Sequence, residues 1–570
     1  MLHRKPDGTL ASGMSFLKGY NRNLFFRDVT GGLVVGIVAL PLAIAFGVAS
    51  QVSPVISIYA TIVAGFIIAV FSGIRVQIGG PTAACVVIVY NVVVNYGILG
   101  LVVATMIAGV MLIAMGVLKL GRMIKLIPDP LTEGFTAGIS VDLFVSQVKD
   151  FGGLQMGRLP VVFYDKLQML GSNVIHFSAY ALVIGLLTIF INQIAPYVIT
   201  KKLPGPILAI VITSLVVYYF HLPVHTIGSR FGVIQPVLPH LALRPVSIHE
   251  FIALCRPAFA IAVLVSIMSL MSGAVAENAT GFYFRSNKEL VAVGLANIVC
   301  ALFGGIPVTG SIARTLTNVE NGGNSRIAGI IQSAVLIFIL FVFGKWISLI
   351  PLAAIAGLLM VMAYNLSKWR NFISILKAFS PDTILMLATF FITLFANITA
   401  GLEIGFALAM ILFMRKMSDA SNVRELTNKF FGDHGIFVEE QMVSYNLSKG
   451  VSVFEFSGPL FFGAAYKFKE SFGRLAQKPK VIIVRLRNVP VIDSTGISTL
   501  LKVKSDLESR GIPLIISEIK YDTMDEKLSE QLLAKMGNEN IWGTLGEAIK
   551  RSGVILKAGS EDQHRNNDFR

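Results

Sequence analysis

Two short stretches of this chain combine residue types that could do chemistry inside a bilayer. Residues 78 to 87 read IGGPTAACVV, and residues 307 to 319 read PVTGSIARTLTNV. Each follows a Gly-Gly pair with a proline and then hydroxyl residues, Thr82 in the first and Thr309 and Ser311 in the second. Proline removes a backbone donor and glycine bares the peptide, so in lipid both stretches are costly unless the freed groups are used. A helix that begins at such a break presents unpaired N–H groups and the positive end of its dipole. Two such starts converging from opposite leaflets form an anion trap. Neither break carries a carboxylate, which a cation site would want. The alternative is a pair of Pro/Gly kinks with no ligand. Arg314 lies within the second stretch, and a charge at mid-membrane costs about 2.5 to 3.5 kcal/mol on insertion scales. It therefore either faces the site or snorkels toward the cytoplasmic end of its span.

The elements that must position these residues are membrane helices. Of 570 residues, 54% are apolar and 14% charged, against a usual charged share of about 25%, and the mean hydropathy is +0.72. Apolar windows of roughly 17 to 25 residues, the length that crosses a bilayer, recur between Gly31 and Met414. Spans are predicted at 31–49, 55–74, 82–95, 98–118, 131–148, 172–195 and 205–221. After a polar connector at 222–257 they resume at 258–283, 288–303, 309–319, 326–343, 347–364, 381–397 and 399–416. The N-terminus, with His3, Arg4 and Lys5 and no early apolar core, is no secretory signal, so the first span serves as its own insertion signal.

The net charge of +15 is a topology signal rather than a nucleic-acid footprint. Basic clusters follow even-numbered spans: Lys119, Arg122 and Lys125; Lys201 and Lys202; Arg285 and Lys288; Lys368, Arg370 and Lys377. Connectors near Gln51, Asn95 and Thr399 carry none, which puts both termini on the cytoplasmic side of a multi-pass protein of the cell inner membrane. Cys85, Cys255 and Cys300 show no framework spacing and read as small apolar packing residues.

Seven spans, a connector and seven more spans suggest duplication. Ile124 to Pro128 (IKLIP) opens the fifth span and Ile347 to Pro351 (ISLIP) opens the twelfth, 223 residues later; Pro81 and Pro307 are 226 apart. An odd number of spans per half turns the second copy upside down. That is the inverted repeat of secondary transporters, whose midplane sites lie at short, Gly/Pro-broken helices such as the third and tenth here.

The quoted stretches, with GLVVGIVALPLAIAFGVAS (32–50), SNKELVAVGLANIVCALFGGIPVTGSIART (286–315) and FEFSGPLFFGAA (454–465), resemble the SulP family of anion transporters. The resemblance implies fourteen transmembrane segments as a 7+7 inverted repeat divided into core and gate domains, elevator-like motion, a homodimer and a C-terminal cytoplasmic STAS domain of α/β type. It implies an anion site lined by Leu42 and Phe46, by Thr82 and Ala83, and by Ser311, Ala313 and Arg314. Phe46 has core filling as its bland alternative. Two departures stand out. Leu42 occupies the place where many relatives have Gln, nearer the bicarbonate and dicarboxylate types, and Met268 stands where an acid usually serves sodium or proton coupling. A thioether neither titrates nor holds sodium well, so exchange or uniport is expected over sodium symport. The remaining intramembrane acids, Glu133, Asp142, Glu277 and Glu403, are functional candidates by default. For Glu133 and Glu403 capping or interdomain bonding fits as well, and for Glu277 pairing with Arg285 or Lys288.

Beyond Ser418 nothing is long enough to span. The domains are therefore a cytoplasmic N-terminal segment (1–28), a transport domain (29–418; repeats 29–221 and 256–418), a STAS domain (436–556) and a disordered tail (557–570). In the STAS domain, strands VSVFEFSG, KVIIVRLRNV and IPLIISEI alternate with helices near 463–476, 496–510, 525–536 and 544–552. VIDSTGISTLLKV (491–503) opens a helix that Asp493 or Ser494 can cap; it also resembles the STAS signature loop, whose phosphorylatable hydroxyl aligns with Thr495. Ser494 and Thr495 are thus regulatory candidates for phosphorylation or for docking a STAS-binding protein. There is no GxxxxGK[ST], so ATP-driven transport is disfavoured. His221 and His225 flank Pro223 and share no helix face; no metal or cofactor is expected. The expectation is a secondary transporter of sulfate, bicarbonate or C4-dicarboxylate, with a possible co- or counter-ion. An anion-sensing receptor signalling through the STAS domain is the second reading; nucleobase uptake would want acids where Met268 and Ser311 stand, and an enzyme would want a nucleophile–base pair.

Overall fold

The computed structural model describes residues 21–124, 127–198, 204–232, 234, 247–420, 422–426, 447–448, 450–460, 479–520, 522 and 524–567. Lys125, Lys201, Lys202 and the expected helix at 463–476 lie outside the described residues. The chain divides into two compact units, the first ending at Ala409 and the second beginning at Met410.

The first unit is helical. Its main helices are α1 (Arg22–Ala49), α2 (Pro54–Phe71), α3 (Ala83–Val117), α4 (Asp129–Phe151), α5 (Phe163–Ser172), α6 (Ala179–Val198), α7 (Gly205–Tyr219), α8 (Ile248–Thr280), α9 (Ser286–Leu302), α10 (Ile312–Glu320), α11 (Ile327–Ile347), α12 (Leu352–Leu366), α13 (Trp369–Lys377), α14 (Pro381–Phe391) and α15 (Ile398–Ala420). The third and fourth spans are the two arms of α3, hinged at Gly97, whose φ of 71° and ψ of −178° break the helix. Only glycine adopts that backbone freely, which is why an apolar run of 35 residues can break into two arms here. Allowing for this hinge, the fourteen expected spans are all present. α1 starts at Arg22 and α8 at Ile248, nine and ten residues ahead of the expected apolar edges, because their charged first turns extend out of the apolar layer.

Packing sorts these helices into two bundles. α1, α2, α3, α8, α9, α10 and α11 pack mainly on one another, and so do α4, α6, α7, α12 and α14. Each bundle draws on both halves of the sequence, four spans from each half in the first, and three from the first half and two from the second in the other, as an interleaved inverted repeat requires. Small residues let backbones close in where water cannot drive association: a Cβ on Gly109 of α3 would lie 2.8 Å from the Gly294 carbonyl of α9.

The second unit contains a five-stranded sheet. Strand β3 (Asn422–Glu425) pairs antiparallel with β4 (Val451–Ser457), and β4, β5 (Val481–Asn488), β6 (Leu514–Ser517) and β7 (Ile541–Trp542) follow in parallel. The short strand pair β1 and β2, described below, belongs to the first unit. In β5, Ile482, Val484 and Leu486 face α16 (Ser494–Glu508) and α17 (Glu526–Met536), whereas Val481 and Ile483 face α18 (Leu545–Asn567). Helices on both faces explain why these strands read as continuous apolar runs. Two boundaries differ from expectation. β3 enters the sheet at Asn422, ahead of 436, because an edge strand as polar as NVRE gives no apolar signal. α18 runs to Asn567, across the stretch expected to be disordered from 557.

Candidate functional site

The two Gly/Pro breaks meet. Gly79–Gly80 (β1) pairs antiparallel with Thr309–Gly310 (β2), in register Gly79 opposite Gly310 and Gly80 opposite Thr309. Beyond the strands the Ser311 N–H donates to the Ile78 carbonyl at 2.8 Å, and Ile78 N–H donates to the Thr315 hydroxyl at 3.0 Å. Thr82 and Ser311 are the N-cap residues of α3 and α10, both extended, and neither side chain caps its own helix. Two helix starts therefore leave one strand pair in opposite directions, with first-turn N–H groups that their own caps do not occupy. Thr82, Ala83 and Ser311 are 9%, 7% and 7% exposed, so a ligand there is largely screened from water. Ala313, on the first turn of α10, is exposed.

Arg314 does not extend to a membrane surface; it is buried at the strand pair. It is 2% exposed and reaches across the repeat boundary, donating through Nη1 to the Gly79 carbonyl at 3.5 Å and through Nη2 to the Pro81 carbonyl. Its buried Nε has no partner. Gly80 makes this possible: at φ 154°, a Cβ there would stand 2.2 Å from Arg314 Nη1. The guanidinium thus lies against the start of α3, with its charge matched by carbonyl dipoles and by no carboxylate among the described residues.

α1 and α8 pack beside the two helix starts. α1 packs on α10 and α3; its Phe46 is buried in the same apolar cluster as Ala83, with Leu42 and Met268 packed against that cluster. Met268 precedes Ser269, whose hydroxyl accepts from Gly310 N–H at 2.8 Å. Met268 is thus the helix neighbour of a residue that holds the strand pair, and it carries a thioether.

A polar truss beneath the strands went unread in the sequence. Glu289, fully buried in α9, accepts from Ser72 Oγ at 2.5 Å, Gly73 N–H at 3.0 Å and Gln77 Nε2 at 3.1 Å. Asn297 on the same helix clasps Val308, accepting from its N–H at 3.0 Å and donating to its carbonyl at 2.8 Å. An acid in the first turn of an apolar span and a glutamine just before the break were the available signals. The intramembrane acids that the sequence offers as candidates have other partners. Asp142 pairs with Lys166 at 2.6 Å, Glu133 with Lys368 at 3.5 Å, and Glu403 with Arg256 at 2.7 Å. The last pair links α8 of one bundle to α15. Glu277 accepts from the Phe284 N–H at 3.1 Å.

In the second unit Asp493 caps α16 by accepting from Gly496 N–H at 2.7 Å, which leaves the neighbouring Ser494 and Thr495 exposed.

Residues 25–389 match the model of the sulfate permease family, and 443–548 that of the STAS domain. The chain belongs to the sulfate permease family. It is 34% identical over 527 residues to the "Putative sulfate transporter YvdB" of Bacillus subtilis, covering 92% of this chain and 97% of that protein. Identity to the bicarbonate transporter BicA of Picosynechococcus is 28% over 450 residues, 77% of this chain and 79% of the relative. Among solved structures, murine Slc26a9 in the inward-facing state superposes with a TM-score of 0.83 at 17% identity, over 97% of both chains. The transmembrane domain of a cyanobacterial BicA gives 0.61 at 27% identity, over 67% of this chain and 98% of its own. The sulfate permease-family protein is thus a polytopic membrane transporter with a STAS domain, not an enzyme.

Proposed function

We propose that the chain is a secondary transporter of small oxyanions, sulfate or bicarbonate first and C4-dicarboxylates next, across the cytoplasmic membrane with both termini inside. The anion is held between the starts of α3 and α10, under the field of Arg314 and walled by Leu42, Phe46 and Ala83, with Ser311 and Thr82 offering hydroxyl donors. The observation that carries this reading is the antiparallel contact of Gly79–Gly80 with Thr309–Gly310, which sets two uncapped helix starts face to face beside a cation that no acid among the described residues neutralises. Donors to an anion without full neutralisation bind it and also let it leave.

Alternating access then follows by sliding of the bundle that carries both breaks along the α4–α7 and α12–α14 bundle, an elevator-like stroke in which the site travels intact. The chain acts as a homodimer, and Ser494 and Thr495 offer the STAS domain a place for phosphorylation or a partner. With Met268 at the coupling position, transport proceeds by exchange or uniport.

Purified full-length protein in liposomes tests this directly. Uptake of labelled sulfate, bicarbonate and fumarate is measured with and without imposed sodium and pH gradients. Saturable uptake of one of them without a sodium requirement is expected. Binding without turnover would instead make the protein an anion-sensing receptor.

A further inference from the structure

Tyr90 lies two turns beyond Ala83 on α3, about 10 Å along the helix toward the outer face, and borders a cleft with Ala49, Val86 and Val87. Lys149, Lys166 and Arg230 line the same cleft. Two of these cations are matched: Lys166 by Asp142 at 2.6 Å, and Arg230 by both oxygens of Asp150 at 3.2 and 3.0 Å. Lys149 is not. Its ammonium donates to the Gly157 carbonyl at 2.6 Å and has no ion-pair partner among the described residues. The cleft therefore carries three cations against two carboxylates. The fifth span ends here, on the face opposite the basic clusters that follow the even-numbered spans.

We propose that this cleft is an outer antechamber where the transported oxyanion pauses before reaching the helix starts, with Lys149 as the contacting cation. The cleft lies directly outward of the site, since Ala49 follows Phe46 on α1 and Val86 follows Ala83 on α3. A channel walled by low-dielectric helices concentrates the field of an unmatched charge and raises the local anion concentration. Tyr90 Oη donates to the Leu159 carbonyl at 2.6 Å, and Lys166 Nζ sits 5.9 Å over its ring. This contact joins the α3 bundle to the loop after α4 at the rim of the cleft.

The inference rests on the anion-transport reading, and the test separates the two. Initial rates of labelled sulfate and bicarbonate uptake are measured in intact cells expressing the full chain, where the cleft faces the medium, and in inverted vesicles from the same cells. Lys149→Gln should raise the outside KM roughly three- to tenfold at low ionic strength with the maximal rate kept, and leave the KM in inverted vesicles unchanged. The increase should fade at high salt, and Lys149→Arg should restore the wild-type value. An unchanged outside KM, or equal increases on both sides, overturns the antechamber while leaving the transport reading intact. A wild type that moves neither of these anions nor fumarate overturns both.

Discussion

The two breaks share a backbone plan but contribute different chemistry. The first, at Gly79 to Thr82, brings glycines and carbonyls and starts the long arm of α3. The second, at Thr309 to Arg314, starts a helix of only nine residues and brings the only charge at either break, which it delivers to the first break's carbonyls. Duplication supplied the symmetric cradle of helix starts; divergence placed the cation on one side. An anion held between them meets two equivalent dipoles and one asymmetric charge. The substitutions below ask which of these matters more.

The largest effect is expected from Gly80→Ala. A methyl 2.2 Å from Arg314 Nη1 cannot be accommodated without displacing the guanidinium, and overpacking of this kind costs roughly 1–3 kcal/mol. Uptake in liposomes should fall by at least about tenfold, a factor worth about 1.4 kcal/mol. Arg314→Ala comes next, with a loss of similar order, while Arg314→Lys keeps the charge but loses the two-carbonyl fork and should fall between. Because Gly80→Ala acts through Arg314, the double variant should be little worse than either single one. Additive losses would show that the glycine and the arginine serve separate ends, and the comparison between the breaks would have to be redrawn.

The same contrast explains what sequence could and could not reveal. The span count, the repeat and the two breaks were legible because apolar length and Gly/Pro punctuation are local signals. The hinge at Gly97 was legible only as a gap between spans. Arg314 was left between two roles, since an arginine near a span end is compatible with either until its carbonyl partners on the other repeat are known. Glu289 was passed over because its partners, Ser72, Gly73 and Gln77, lie more than 200 residues away. Edge strand β3 was invisible for the opposite reason: its residues are ordinary loop residues until a neighbour pairs with them.

Met268→Glu sharpens the comparison from the α8 side. Met268 neighbours Ser269, which holds Gly310 of the second break, so an acid placed there would stand beside the strand pair. Ionised, it repels an anion; protonated, it does not. Uptake by the variant should therefore decline as pH rises and recover as pH falls, by a few-fold across the range, against a flatter wild-type profile. A variant whose profile matches the wild type would show that position 268 does not face the anion.

Glu277→Gln should do least, although Glu277 is also an intramembrane acid on α8. Its Oε1 accepts one backbone N–H, from Phe284, and the glutamine amide keeps an oxygen in the same place. What changes is the charge, and it lies two and a half turns from Met268 along the helix, about 13 Å away and past the part of the helix that faces the strand pair. Uptake should stay within about twofold of wild type, well above Arg314→Ala. If Glu277→Gln were instead the more damaging of the two, the decisive charge would lie at the end of α8 rather than at the second break, and the facing helix starts would be a scaffold for a site built elsewhere.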